Sequence, residues 1–294
     1  MLLPWQRSPA IGRYHRQPMD ERAIGVFDSG FGGLTVARAM IDLLPAEDIV
    51  YLGDTGRYPY GPRDQAEVAR FAHQITAKLV KEHDVKMVVV ACNTAAAAAL
   101  DQLREDFDVP VVGVIEPGLR SAVRATVSGR IGVIGTVGTI ASGAYQRVAA
   151  ELGGSGLAAD RTLELTCAAC PGFVEFVERG ETGSDQVFVL AERLLEPIRR
   201  ACVDTLLLGC THYPFLARTI SDVVGREVFL VSSADETAFE VRRILEETGA
   251  GRPKPAAGSQ RRWISSGDTA TFAALGRSLF GPEIDRVEAW DPDG

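Results

Sequence analysis

The apolar residues of this chain fall in short unbroken runs, separated by longer stretches of helical spacing. Continuous apolar runs occupy residues 23–27, 49–52, 87–91, 111–114, 131–134, 205–208 and 228–231. Runs of this length without polar alternation predict strands buried on both faces. Between them, residues 34–44, 65–83, 95–104, 119–127 and 186–200 place apolar side chains three or four positions apart, as amphipathic helices do. Turns containing glycine or proline mark the joints, and residues 249–258 read as a surface loop before a last strand and helix. Strands alternating with helices over short joints predict an α/β fold with mostly parallel sheets flanked by helices.

Two pairs of these segments resemble each other. Ala23-Ile24-Gly25-Val26-Phe27-Asp28 is similar to Arg130-Ile131-Gly132-Val133-Ile134-Gly135. Val88-Val89-Val90-Ala91-Cys92-Asn93-Thr94 is similar to Leu206-Leu207-Leu208-Gly209-Cys210-Thr211-His212. Apolar strands recur in every α/β protein, so coincidence is one reading. The other is two pseudo-symmetric domains facing each other, with a cysteine at the same strand end of each. Both thiols then meet at one cleft, where open α/β sheets bind ligands. The expected division is residues 23–116 with 226–294 as one domain and 117–225 as the second. Residues 1–22, interrupted by Pro4, Pro9 and Pro18, are expected to be a disordered N-terminal extension.

Composition narrows the classes. At 294 residues, 46% hydrophobic and 24% charged, the chain reads as a globular enzyme. No apolar run approaches the roughly 20 residues of a membrane span. A net charge of −8 argues against a nucleic-acid or anionic-membrane footprint. An anionic ligand must then be held by local dipoles and backbone groups. The five cysteines (Cys92, Cys167, Cys170, Cys202 and Cys210) are odd in number and accompany no signal-peptide pattern, which points to a reducing cytoplasm.

Cys92 stands at a strand end just before a helix, whose positive end is expected to lower the thiol's pKa. The first amides of that helix, with Asn93 and Thr94, can hold a carboxylate without lysine or arginine. Alone, Cys92 reads first as a packed core thiol. Cys210 repeats the placement and adds His212, which can take the thiol's proton or stabilise its thiolate; alone, His212 reads as a cap or satisfied core side chain. The glycine-rich turn Asp28-Ser29-Gly30-Phe31-Gly32-Gly33 invites a dinucleotide reading, with Asp54 imitating the ribose-binding acid. Asp28 would repel a pyrophosphate, however, and the glycines are one step out of register. Asp28 instead suits assistance to Cys92 or a substrate ammonium, or an ordinary helix cap.

Two thiols across a cleft suit racemisation, in which one group removes a proton from one face of a stereocentre and the other returns one to the opposite face. A pyridoxal enzyme would need a lysine anchor. The four lysines, Lys78, Lys81, Lys86 and Lys254, fall on charged helix faces, just before a strand, or in the proline-rich loop, so no cofactor is expected. Cys167-x-x-Cys170 could form a metal half-site or redox pair, but no second C-x-x-C exists and no thioredoxin-like context surrounds it. A zinc site from Cys92, Cys170, Cys210 and His212 would consume the proposed catalysts. Cys202, at a helix end, reads as packing.

Together these motifs resemble the glutamate racemases of bacterial cell-wall synthesis. The matches are Gly25 to Thr35, Tyr51-Leu52-Gly53-Asp54-Thr55, Pro59-Tyr60-Gly61-Pro62, Ala91 to Ala95, Gly132 to Thr136 with Thr139, Cys170-Pro171-Gly172-Phe173-Val174 leading to Glu178, and Leu208 to Pro214, in family order. The resemblance implies a two-domain pseudo-symmetric fold and cofactor-independent interconversion of L- and D-glutamate for peptidoglycan. It implies Cys92 as base toward D-glutamate, assisted by Asp28, and Cys210 as base toward L-glutamate, assisted by Glu178 and His212. Asn93, Thr94, Thr136, Thr139 and Thr211 would hold the α-carboxylate and amine; Ser29, Tyr60 and Gly61 would hold the side-chain carboxylate. A homodimer is expected, and by family analogy alone DNA gyrase is a conceivable partner. The rival readings are a racemase of aspartate or hydantoin, a gyrase-binding regulator with weak catalysis, and a cysteine hydrolase. The last leaves the second thiol unexplained.

Overall fold

In a computed structural model, the structure describes residues 20–154, 162–252, 258–284 and 286–293. The apolar runs form two wholly parallel sheets. The larger contains β1 (Ile24–Asp28), β2 (Ile49–Gly53), β3 (Met87–Val90), β4 (Val111–Gly113), β9 (Arg261–Ser265) and β10 (Val287–Ala289), ordered β10-β9-β2-β1-β3-β4. The smaller contains β5 (Arg130–Gly135), β6 (Glu164–Ala169), β7 (Thr205–Gly209) and β8 (Phe229–Ser232), ordered β6-β5-β7-β8. The order β2-β1-β3-β4 in the first is thus repeated as β6-β5-β7-β8 in the second. The two similar segment pairs are β1 with β5 and β3 with β7, so the sequence repeat has a topological counterpart.

Strand periodicity decides which core each residue joins. On β5 and β7, Ile131, Val133 and Leu207 face one buried cluster, shared with the larger sheet. Their alternates Ile134, Leu206 and Leu208 face a second, as the two-residue period of a strand requires. The first cluster includes residues of α4 (Ile115–Ala125) and α11 (Ser233–Thr248), which pack on each other between the sheets. The same alternation separates the C-x-x-C pair. Cys167 packs against the shared cluster and Cys170 lies in the second, so the two thiols point away from one another.

Several boundaries differ from expectation. β8 pairs with β7, so the smaller sheet runs past residue 226, and the chain returns toward the larger sheet through α11. The helix expected over 186–200 is two helices, α8 (Asp185–Leu194) and α9 (Glu196–Arg200), broken at Leu195. Pro197 causes the break, because it has no N–H and clashes with a preceding turn. β6 escapes the apolar-run criterion because it is a half-exposed edge strand reading Glu-Leu-Thr-Cys-Ala-Ala. Of the expected extension, residues 1–19 lie outside the described residues; Asp20 and Arg22 are tied down. Arg22 pairs with Asp20 and Asp84, and buried Lys86 donates to the Asp20 carbonyl at 2.7 Å. Lys86 also pairs with buried Glu47 at 2.7 Å. Cys202, expected to pack, is exposed at a position with φ of 48°. No helix among the described residues is long and apolar enough to cross a membrane.

Candidate active site

The C-terminal ends of β1, β3, β5 and β7 converge on one cavity of about 100 Å³ between the sheets. Ten of the thirteen residues expected at the site line it: Ser29, Tyr60, Gly61, Cys92, Asn93, Thr94, Thr136, Cys210, Thr211 and His212. Asp28, Thr139 and Glu178 form a layer behind these. No lysine or arginine lines the cavity.

Cys92 lies two residues past the end of β3 and is the N-cap of α3 (Asn93–Asp106). Its Sγ accepts from the Ala95 amide at 3.5 Å and donates to Ser29 Oγ at 3.6 Å. The helix end was expected to lower this thiol's pKa. Burial and the nearby charge of Asp28 instead outweigh the hydrogen bonds that the Ala95 amide and the Ser29 hydroxyl and amide offer the thiolate, and push it up to about 12. Asp28 is buried at the end of β1; its Oδ1 accepts from the Gly30 amide at 2.8 Å and its Oδ2 from Thr211 Oγ1 at 3.3 Å. Its carboxyl is itself raised by burial, partly offset by His212. Asp28 therefore acts on Cys92 through space while hydrogen bonding toward the Cys210 side.

Cys210 ends β7. His212 Nδ1 lies 3.9 Å from its Sγ, and His212 Nε2 lies 3.3 Å from Glu178 Oε1. Glu178 closes α7 (Phe173–Glu178). Burial opposes charge on His212, but hydrogen bonding to Cys210 and Glu178, with the charges of Cys210 and Asp28, overcomes it and raises the imidazole to about 10. His212 is thus an imidazolium at neutral pH. The remaining histidines stand apart: His73 and His83 lie outside the cavity, and His15 is outside the described residues.

The glycine-rich turn is a junction between the halves. A Cβ on Gly32 would lie 2.2 Å from Thr211 Oγ1 and 2.5 Å from His212 Nδ1, so only glycine permits this approach. Close packing, not phosphate binding, explains that glycine.

On the opposite wall, the hydroxyls of Thr94, Thr136 and Thr139 form a closed triangle with sides of 2.9, 3.2 and 2.9 Å. It joins α3 to the start of α5 (Val137–Ala141). Asn93 Oδ1 accepts from Tyr145 Oη at 2.9 Å. Tyr60 presents its ring to the cavity while its hydroxyl donates to Asp54. Sequence reasoning missed Tyr58, Val137, Glu175 and Tyr145. Glu175 lies three residues before Glu178, one helical turn away, and helical spacing alone could have pointed to it. Cys170 also lines the cavity, and burial, then the charge of Cys210, pushes its thiol up to about 12. Among the described residues no group of three His, Cys, Asp or Glu side chains is arranged to hold a metal ion.

The described lysines do not reach the site, and Lys86 is committed to Glu47 and backbone carbonyls. Lys254 lies outside the described residues. What the cavity offers is two thiols from equivalent strands, one imidazolium, and a wall of hydroxyls and amides.

A sequence profile of the Asp/Glu/hydantoin racemase family matches residues 24–238. A glutamate racemase of Mycobacterium ulcerans is 53% identical over 271 residues, covering 92% of this chain and 97% of that protein. Among solved structures, a glutamate racemase isoform of Bacillus anthracis superposes with a TM-score of 0.84 at 39% identity, covering 92% of this chain and 97% of that one. A glutamate racemase of Francisella tularensis, in complex with D-glutamate, gives a TM-score of 0.84 at 30% identity over 94% and 99% of the two chains. Such identity over nearly the whole length, together with the paired strand-end thiols, shows that the chain is an isomerase of the Asp/Glu/hydantoin racemase family and belongs among its glutamate racemases.

Proposed function

We propose that this protein interconverts L- and D-glutamate by a two-thiol mechanism needing no cofactor, with Cys210 as base toward L-glutamate and Cys92 as base toward D-glutamate. The observation that supports it best is that both thiols, from the equivalent strands β3 and β7, line one cavity. In the L-to-D direction the Cys210 thiolate takes the α-proton, leaving a planar carbanion. The Cys92 thiol then returns a proton to the opposite face. Each L-to-D turnover leaves Cys210 as thiol and Cys92 as thiolate; proton exchange of both thiols with solvent, or a D-to-L turnover, restores the starting state.

His212 holds the Cys210 side positive, and Glu178 orients and charges His212 from behind. Asp28 keeps Cys92 protonated at rest. A substrate ammonium bound nearby would offset the Asp28 charge and allow Cys92 to ionise when its turn as base comes. Asn93, Thr94, Thr136 and Thr211, with Thr139 behind them, hold the α-carboxylate and amine, so carbanion stabilisation comes from preorganised dipoles. Ser29, the Tyr60 wall and Gly61 receive the side-chain carboxylate. The D-glutamate supplies peptidoglycan synthesis in the cytoplasm, and the working form is a homodimer, to be checked by sedimentation.

The test is solvent deuterium incorporation at the α-carbon by dialysed enzyme without pyridoxal phosphate. Wild type should label and invert both enantiomers. Cys92→Ala should label L-glutamate and Cys210→Ala should label D-glutamate, each without inversion, with racemisation lowered at least 10²–10⁴-fold as general acid–base catalysis is worth. No exchange into either enantiomer by wild type would overturn the glutamate reading.

A further inference from the structure

We propose that Tyr145 is a positioning residue for this reaction: its hydroxyl fixes the Asn93 amide so that the NH₂ group faces the cavity and binds a substrate carboxylate. The inference rests on the reading of Asn93 as a substrate contact and goes beyond it by assigning which atom makes the contact and what orients it.

Asn93 is 2% exposed and Tyr145 1% exposed. Asn93 lines the cavity, its Oδ1 accepts from Tyr145 Oη at 2.9 Å, and its Nδ2 is buried without a hydrogen-bond partner. A buried amide donor left unpaired is destabilising, so a residue kept in this state beside a cavity is matched to an incoming acceptor. The opposite amide orientation would turn a carbonyl oxygen toward an anionic substrate. Burial, together with the charges of Cys210 and Cys167, raises the Tyr145 phenol, so it stays protonated and remains a donor.

The phenol is also placed to act between the halves of the molecule. Tyr145 belongs to α6 (Ala144–Gly154), beside the smaller sheet, whereas Asn93 opens α3 beside the larger one. A Cβ on Gly209 would stand 2.6 Å from Tyr145 Oη, so the hydroxyl fits only because that residue is glycine. The phenol therefore sits between the two cysteine-bearing strand ends, Cys92-Asn93 and Gly209-Cys210. It orients a first-half residue from a second-half helix.

The test compares Tyr145→Phe, Asn93→Ala, the double variant and Asn93→Asp in steady-state kinetics. Tyr145→Phe should raise KM for both enantiomers about tenfold with kcat little changed, the signature of lost uniform binding. Asn93→Ala should raise KM further, and the double variant should be no worse than Asn93→Ala alone, because the tyrosine acts only through the amide. A merely structural tyrosine would give additive losses and overturn the inference. Asn93→Asp keeps the Tyr145 hydrogen bond and does not depend on the fold tolerating phenylalanine. It should bind substrate worse than Asn93→Ala, since a carboxylate oxygen replaces the cavity-facing NH₂; binding equal to or better than Asn93→Ala overturns the orientation. An unchanged KM in Asn93→Ala would instead remove the substrate contact itself, a failure of the underlying reading that the Tyr145 variant alone would not produce.

Discussion

The Cys92 and Cys210 regions occupy equivalent places in two sheets of the same strand order, yet their electrostatics are opposite. Cys92 is capped by one amide and one hydroxyl, faces the carboxylate of Asp28, and is pushed up to about 12. Cys210 faces His212, whose imidazole is raised to about 10 and backed by Glu178. In the proposed mechanism the backbone repeat supplies geometry for attack on both faces of a stereocentre. The side chains that break the repeat set the carboxylate of Asp28 beside one thiol and the imidazole of His212 beside the other. A symmetric site would leave both thiols in the same protonation state, whereas racemisation needs one of each.

A constraint governs any attempt to test this asymmetry. L- and D-glutamate have equal free energies in water, so kcat/KM must be equal in the two directions for every variant, however lopsided the damage. Differences between the halves appear instead in kcat and KM taken separately, and in primary isotope effects with α-deuterated substrate.

The largest expected effect is from Gly32→Ala. Its methyl would enter the space of Thr211 Oγ1 and His212 Nδ1, at 2.2 and 2.5 Å. Since even a displacement of about 1 Å can cost roughly 10²-fold, kcat/KM should fall by at least that factor. Deuterium exchange into L-glutamate should fall more than exchange into D-glutamate. Equal loss of both exchanges would mean that the junction serves the whole cleft and not the Cys210 side.

His212→Asn comes next, with a loss of about 10²-fold and a larger primary isotope effect from α-deuterated L-glutamate than from the D-enantiomer. The same variant should flatten the alkaline limb of the pH profile. In wild type, kcat/KM should fall as pH rises toward about 10, where the His212 imidazolium is lost. Stability should follow the same sign. A base raised from 6.5 in the unfolded chain to about 10 in the folded one stabilises fully below pH 6.5 and loses that contribution as pH climbs through 10. Thermal melts of wild type and His212→Asn across that window should converge at the alkaline end. Parallel melting curves would show that His212 carries no folding-linked proton.

Much of this arrangement was legible in the sequence, for identifiable reasons. Strands buried on both faces leave unbroken apolar runs, so β1, β3, β5 and β7 were readable, and with them the strand ends that carry both thiols. Edge strands need no such run, and β6 was therefore missed. The Gly25-to-Thr35 and Leu208-to-Pro214 motifs marked the residues that meet at the cleft. The direction of the Cys92 shift was misread because a helix end is visible in sequence, whereas burial and the approach of Asp28 from another strand are products of folding. Tyr145 was missed for a similar reason: it lies 52 residues from Asn93, in a helix whose pattern speaks only of packing. Glu175 carried a periodic signal, yet nothing local says which helix face meets a cavity.

The smallest effect tests the quieter half. Ser29→Ala removes the hydroxyl 3.6 Å from Cys92 Sγ, which can turn to donate to the thiolate, and leaves the Ala95 amide in place. Hydrogen bonds from the Ala95 amide, the Ser29 hydroxyl and the Ser29 amide to the thiolate pull against burial and the Asp28 charge, so losing the hydroxyl should hold the thiol's proton more tightly. Sulfur contacts at this distance are weak, and a change of about 0.5–1 kcal/mol corresponds to a few-fold loss. It should appear as a lower kcat from D-glutamate, for which Cys92 is the proposed base, with kcat from L-glutamate less altered. A matching fall in both kcat values would place Ser29 with the substrate carboxylate alone. A fall confined to the L direction would reverse the assignment of the two thiols.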